Sequence, residues 1–204
     1  MKALSLFYPY VLPEVIGAPY PIVDQAIVLT CRDFCQRTAV WTEWMGAIPP
    51  GTSNRFEFDI ATSQELVKVV KALAGTTELD VLSYRDVPPD WMDATSTKLT
   101  NKLVHLEGNE FLIFPLPTES IYLQLAFKPT VTAATVGDVL YDSHAEDIGT
   151  GAKARMMTMR DMPFSDINYA AVNRQAYEAA ISQTANLGFS HRSPGARVTK
   201  KSRI

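Results

Sequence analysis

No apolar run in this sequence approaches the roughly 20 residues that a membrane-spanning helix requires. Cysteine and histidine are scarce too, with two of one and three of the other. Cys31 and Cys35 stand four apart on a predicted helix, where Cβ atoms lie roughly 5–6 Å apart. A disulfide wants about 3.5–4.5 Å, so the pair is expected as two unbridged thiols in a helix core. Free thiols suit synthesis in a reducing cytoplasm. His105, His144 and His191 are scattered through unlike surroundings, which leaves that pair short of a four-ligand zinc site. There is no G-x-S-x-G elbow, no H-E-x-x-H and no Walker loop. The opening MKALSLFYPYVLPEV imitates a secretory signal, but Pro9 and Pro13 interrupt it and no small-residue cleavage site follows. It is expected to be structured and retained.

What is present is an ordinary globular composition, 47% hydrophobic and 20% charged over 204 residues. That length allows one large domain or two small ones. Charge is unevenly placed. Residues 190–204 hold Arg192, Arg197, Lys200, Lys201 and Arg203 and no acid. Setting those five charges aside from the net of −3 leaves −8 for residues 1–189. The body is acidic and the tail basic.

Three regimes follow one another along the chain. Over residues 21–41, Val23, Ile27, Cys31, Phe34 and Thr38 mark a helical stripe, with Ile22, Ala26 and Leu29 beside it. Gln25, Arg32 and Gln36 face outward. The apolar arc is wide, which predicts a helix buried on more than one side. From about 54 to 129 the period changes to two. RFEFDI, LVKVVKAL, ELDVLSY, LVHLE, EFLIFPL and IYLQLAFK read as about six strands, with Gly108-Asn109 as a hairpin turn. Short connections between neighbours predict antiparallel pairing. Helices return over 136–159 and from Tyr169 to about Leu187, the latter with Asn168 as its cap and Gly188 as its stop. Ala170, Asn173, Tyr177, Ala180, Ile181 and Thr184 form its inner stripe. The expected fold is α+β: a helical bundle built from both ends of the chain, with an inserted antiparallel sheet or sandwich. Its parts are a helical domain over 1–50 and 131–189, a β module over 51–130, and a flexible basic arm over 190–204.

Three local patterns invite a chemical reading. GTGAKA, residues 149–154, fits the glycine fingerprint of a dinucleotide-binding turn. That turn needs a buried strand before its first glycine, whereas VLYDSHAEDI is half polar and continues a stripe of Leu140, Ala145, Ile148, Ala152, Met156 and Met159. Gly149, Gly151 and Ala152 therefore read as a packing notch in a helix, where another backbone comes close. Asp138, Asp142 and Glu146 share one helical face, better read as solvated than as a cation site. Trp41, Trp44 and Trp91 could line a sugar-stacking surface, but tryptophans at helix ends and loops more often cover a core or an interface. No cofactor or metal site is expected, and no catalytic one.

The run PYPIVDQAIVLTCRDFCQRTAVW, with Asp33, Phe34, Cys35, Arg37, Thr38 and Trp41, resembles the head-to-tail adaptor (connector) proteins of tailed bacteriophages. FLIFPLP, GAKARMM, PFSDINYA and a final helix bearing Tyr177 follow in the same order, so the likeness spans most of the chain. The stretch around VPPDWMDATSTKL departs from the pattern. The resemblance implies a structural virion protein assembled in the host cytoplasm, with copies forming a ring, commonly of twelve, beneath the portal. Its partners would be itself, portal, and a tail tube or nozzle protein, with double-stranded DNA passing through the lumen without specific binding and no membrane. It also implies that Arg192, Arg197, Val198, Lys200, Lys201, Arg203 and Ile204 dock on portal as an arm, the alternatives being a solvated tail and a sequence-independent DNA contact. The competing expectations are a monomeric protein- or carbohydrate-binding β module with helical support, and a small-molecule enzyme with a pocket at Gly149.

Overall fold

The computed structural model describes residues 1–50, 53–88, 100–106, 108–116 and 118–190. Helix α1 (Tyr8–Val11) follows a short strand β1 (Lys2–Ala3) and a 3-10 turn. Helix α2 (Tyr20–Thr38) opens behind Pro19 and includes Pro21, whose fixed φ and missing N–H suit a first turn. It ends on Ala39 in the left-handed region, whose N–H reaches the Cys35 carbonyl at 2.8 Å. Seven strands then make one curled sheet: β2 (Thr42–Ile48), β3 (Arg55–Glu57), β4 (Gln64–Ala74), β5 (Thr77–Ser83), β6 (Lys102–His105), β7 (Glu110–Phe114) and β8 (Ile121–Pro129). Their order across the sheet is β2-β8-β4-β5-β6-β7-β3. Strand β9 (Thr135–Val136) pairs with β1, and helices α3 (Asp138–Met157) and α4 (Ile167–Ser190) complete the described chain.

The sheet is the centre of the molecule, and this corrects the expected helical bundle with an inserted β module. Four helices among the described residues layer onto a half-barrel of strands. Ile121, Leu123, Leu125 and Phe127 of β8 share one buried cluster with Val23, Ile27, Cys31 and Phe34 of α2 and with Leu140, Ile148 and Ala152 of α3. One core spans strands and helices. Edge strand β2 follows α2 directly and pairs with β8, Trp44 opposite Gln124 and Met45 opposite Leu123. Its TEWMGAI sequence alternates poorly, because Gly46 and Ala47 present little side chain, and it escaped a reading based on period.

Two further expectations need correction. β5 and β6 run parallel, Val81 beside Leu103, while the other pairings are antiparallel. A parallel pair needs a crossover of about a dozen residues or more, and the polar stretch between Ser83 and Lys102 is long enough to supply one. The cap of α4 is Asp166, not Asn168: its Oδ1 accepts the N–H groups of Asn168 and Tyr169, both at 3.0 Å. The helix also continues past Gly188 to Ser190. Gly108 and Asn109 do turn the β6–β7 hairpin, Gly108 with φ +69°.

GTGAKA lies inside α3, with helical residues on both sides. No helix N-terminus stands there to receive a phosphate. A Cβ at Gly149 would meet Tyr10 Cβ at 2.6 Å, and one at Gly151 would meet Thr30 Cγ2 at 2.6 Å and the Tyr177 ring at 2.7 Å. Lys153 turns away to Glu14, 2.6 Å distant. In an open helix Gly→Ala gains about 1 kcal/mol. At Gly151 we expect the reverse, a loss of about 1–3 kcal/mol in urea unfolding for Gly151→Ala and more for Gly151→Leu. Adding NAD or ATP should leave the melting temperature of the unmodified protein where it was. A stabilised Gly151→Ala, or a nucleotide-dependent rise, would contradict the packing role.

Candidate functional site

The polar residues of α2 divide between two layers. On the sheet side, both guanidinium nitrogens of Arg32 donate to Glu65, at 2.8 and 3.0 Å, and one also reaches the Pro129 carbonyl at 2.5 Å. Arg32 hydrogen bonding holds the Glu65 carboxyl below its ordinary range. On the helix side, Arg37 donates to both oxygens of Glu178 on α4, at 2.9 and 2.5 Å. That pairing lowers the Glu178 carboxyl and raises the Arg37 guanidinium. Asp33 accepts the Tyr177 hydroxyl at 3.1 Å, and the same hydroxyl lies 3.1 Å from the Thr30 carbonyl. Burial, then the Asp33 charge, pushes the Tyr177 phenol far above its usual range.

Asp33, Tyr177 and Glu178 border a groove of about 410 Å³ between α2, α3 and α4. Gly151 and Ala26 lie along it, Leu29 and Met159 give it apolar walls, and Arg155 and Arg174 stand with Asp33 and Glu178 among its polar residues. Asp33 and Arg37 were singled out in the sequence by their place in the resemblance, and here they join. Arg174 and Glu178 were not, and Arg155 entered only as part of GAKARMM. They lie more than a hundred positions away from α2, and no local period connects them to it.

The remaining sequence candidates do not converge. Asp138 pairs with the Met1 amino group at 2.6 Å and Asp142 with Lys2 at 3.3 Å. No cluster of three or more His, Cys, Asp or Glu suited to a metal occurs among the described residues. His105 stacks on Phe111, whereas His144 packs against Phe34 and meets Asp147 at 3.1 Å. Trp41 is buried and donates its Nε1–H to Glu43 at 2.7 Å, while Trp44 is 52% exposed. Trp91, His191 and the basic arm from Arg192 to Ile204 fall outside the described residues. Cys31 and Cys35 are unbridged and buried.

No protein-family model and no curated protein matches this chain. Its site must be argued from geometry. The arrangement at α2 is a set of charge-assisted clasps between layers, with each carboxylate already engaged.

Burial raises the Cys31 thiol and pushes that of Cys35 up to about 12. A group whose pKa rises on folding leaves stability intact below its unfolded value, near 9, and removes it as pH climbs to the folded value. Thermal stability should therefore hold to about pH 9 and fall between pH 9 and 12. Cys35→Ala should soften that decline. On the acid side, Glu65 and Glu178 have lowered pKa values, so their contribution is present above the ordinary carboxylate range and fades below about pH 4. A melting temperature unchanged from pH 8 to 11.5 would exclude the buried thiols and phenol as the cause.

Proposed function

We propose that this chain is a structural head-to-tail adaptor of a tailed phage, a subunit of a ring beneath the portal that joins capsid to tail. The observation that carries the reading is the exposure of large apolar and aromatic side chains on both outer layers. On α4, Ile167 is 69% and Val172 61% exposed, with Tyr169 nearby. On the sheet face away from α2, Trp44 lies opposite Gln124 on β8, two residues from the exposed Tyr122. A subunit in a cyclic ring touches its two neighbours through different surfaces, one given and one received. Two unlike sets of exposed side chains on different layers suit that geometry.

Charge supports the same reading. A lumen lined with cations would gain phosphate contacts and hold DNA back. A body of net −8 favours passage without specific binding. The basic arm over 190–204 adds an electrostatic means of docking on portal.

The exposed Trp44 and Tyr122 also favour a second reading, a monomeric module that stacks sugars or peptides on its sheet. Mixing the protein with portal and imaging by negative-stain electron microscopy separates the two. We expect rings on portal, lost in Val172→Asp and Trp44→Asp, each with unfolding free energy within roughly 0.5 kcal/mol of the parent. A protein that leaves portal undecorated at low salt, or quenches Trp44 fluorescence on adding oligosaccharide, would favour the module instead.

A further inference from the structure

The groove between α2, α3 and α4 has a charge balance unlike the body around it. Glu178 is taken up by both nitrogens of Arg37, and Asp33 by the Tyr177 hydroxyl. Arg155 approaches Asp33 at 3.7 Å, too far for a hydrogen bond. Arg174 acts on Glu178 through space and has no hydrogen-bonded partner among the described residues. Arg37 stands outside the groove lining and neutralises Glu178, so the two arginines that line it, Arg155 and Arg174, face one carboxylate without a bidentate partner, Asp33. Two guanidinium groups keep their donors available beside apolar walls from Leu29 and Met159.

We propose that this groove is a docking site for an acidic segment of a partner protein, its carboxylate flanked by aliphatic side chains. Arg155 and Arg174 take the carboxylate, with the fork geometry that guanidinium offers to a planar acid. The aliphatic side chains lie against Leu29 and Met159. At about 410 Å³ the groove falls near the lower end of the range that sites for compact ligands occupy, roughly 300–1,000 Å³. The Arg155 side chain is 41% exposed, so the charged contact stays at the rim, where a passing peptide can reach it. A basic segment is disfavoured by the net charge, and a purely apolar one would strand both guanidinium groups from water. This goes beyond the adaptor reading and does not depend on it.

The test uses the full chain with methyl-labelled Leu and Met, titrated with the blocked peptide Ac-Leu-Asp-Glu-Leu-amide. We expect the methyl resonances of Leu29 and Met159 to shift at millimolar peptide, with binding weakening as salt rises. Arg155→Gln and Arg174→Gln should each weaken it about tenfold, the scale of one lost charge-assisted hydrogen bond. Both positions are at the groove rim, and unchanged circular dichroism will certify the fold. Ac-Leu-Lys-Lys-Leu-amide should leave the resonances in place. The proposal is overturned by no shift with the acidic peptide, by equal shifts with the lysine peptide, or by affinity that both substitutions leave intact. Shifts as large with acetate alone would also overturn it, since they would indicate a bare anion site. Portal attachment in the same variants is a separate measurement, so a failed groove leaves the adaptor reading standing.

Discussion

Helix α2 is buried from two sides at once, and the rest of the fold is arranged around that constraint. Val23, Ile27, Cys31, Phe34 and Cys35 are buried, and past its first turn only Gln25, Gln36 and Arg37 are exposed. Its few polar side chains must then satisfy themselves against whichever layer they meet. Successive residues on a helix point about 100° apart. That rotation sends Arg32 toward the sheet, to Glu65 and Pro129, and Asp33 toward α4, to Tyr177. Arg37, one turn beyond Asp33, reaches the same helix at Glu178. Adjacent residues thus clasp opposite layers to one element.

Helix α3 is shaped by how closely it must approach that element and its neighbours. Glycine stands at its N-cap and twice inside it, and each meets a different partner: Gly137 the Trp41 ring, Gly149 Tyr10, Gly151 Thr30 and Tyr177. Each internal glycine costs about 1 kcal/mol in helix propensity. Close packing of Ile148, Ala152 and Met156, all fully buried, offsets it. The helix also bends at His144, whose φ of −136° is not helical. The kink falls where the apolar stripe steps by five, from Leu140 to Ala145. Both segments can then keep an apolar face on the core, which a straight helix with that spacing could not do.

How much of this was legible in the sequence differs by element. The stripes of α2, α3 and α4 and the alternation of β8 were readable because one face of each is buried and the other is not. β2 was hidden by its small residues, and the dominance of the sheet could not be seen from elements taken singly. Parallel pairing of β5 with β6 depends on a long connection whose path the sequence does not state. At the site, the Asp33–Arg37 spacing of one helical turn was visible. Its partners Arg155, Tyr177 and Glu178 became neighbours only through tertiary packing, and tertiary packing has no local period.

The residues that carry the resemblance have a common fate that bears on where function can reside. Phe34 and Cys35 are core, Thr38 returns its hydroxyl to the Phe34 carbonyl at 2.7 Å, and Trp41 is enclosed beneath Gly137. Asp33 and Arg37 are bound within the helical layer. Phe34, Cys35, Arg37 and Trp41 are spent on packing and clasping layers and Thr38 on its own helix, while Asp33 also borders the groove. The proposed contacts fall on surfaces whose loss the fold would scarcely register: Val172, Trp44 and the rim arginines of the groove. A scaffold built this way separates its two requirements: the motif fixes how the layers meet, and the outer faces can change their chemistry without reopening the core.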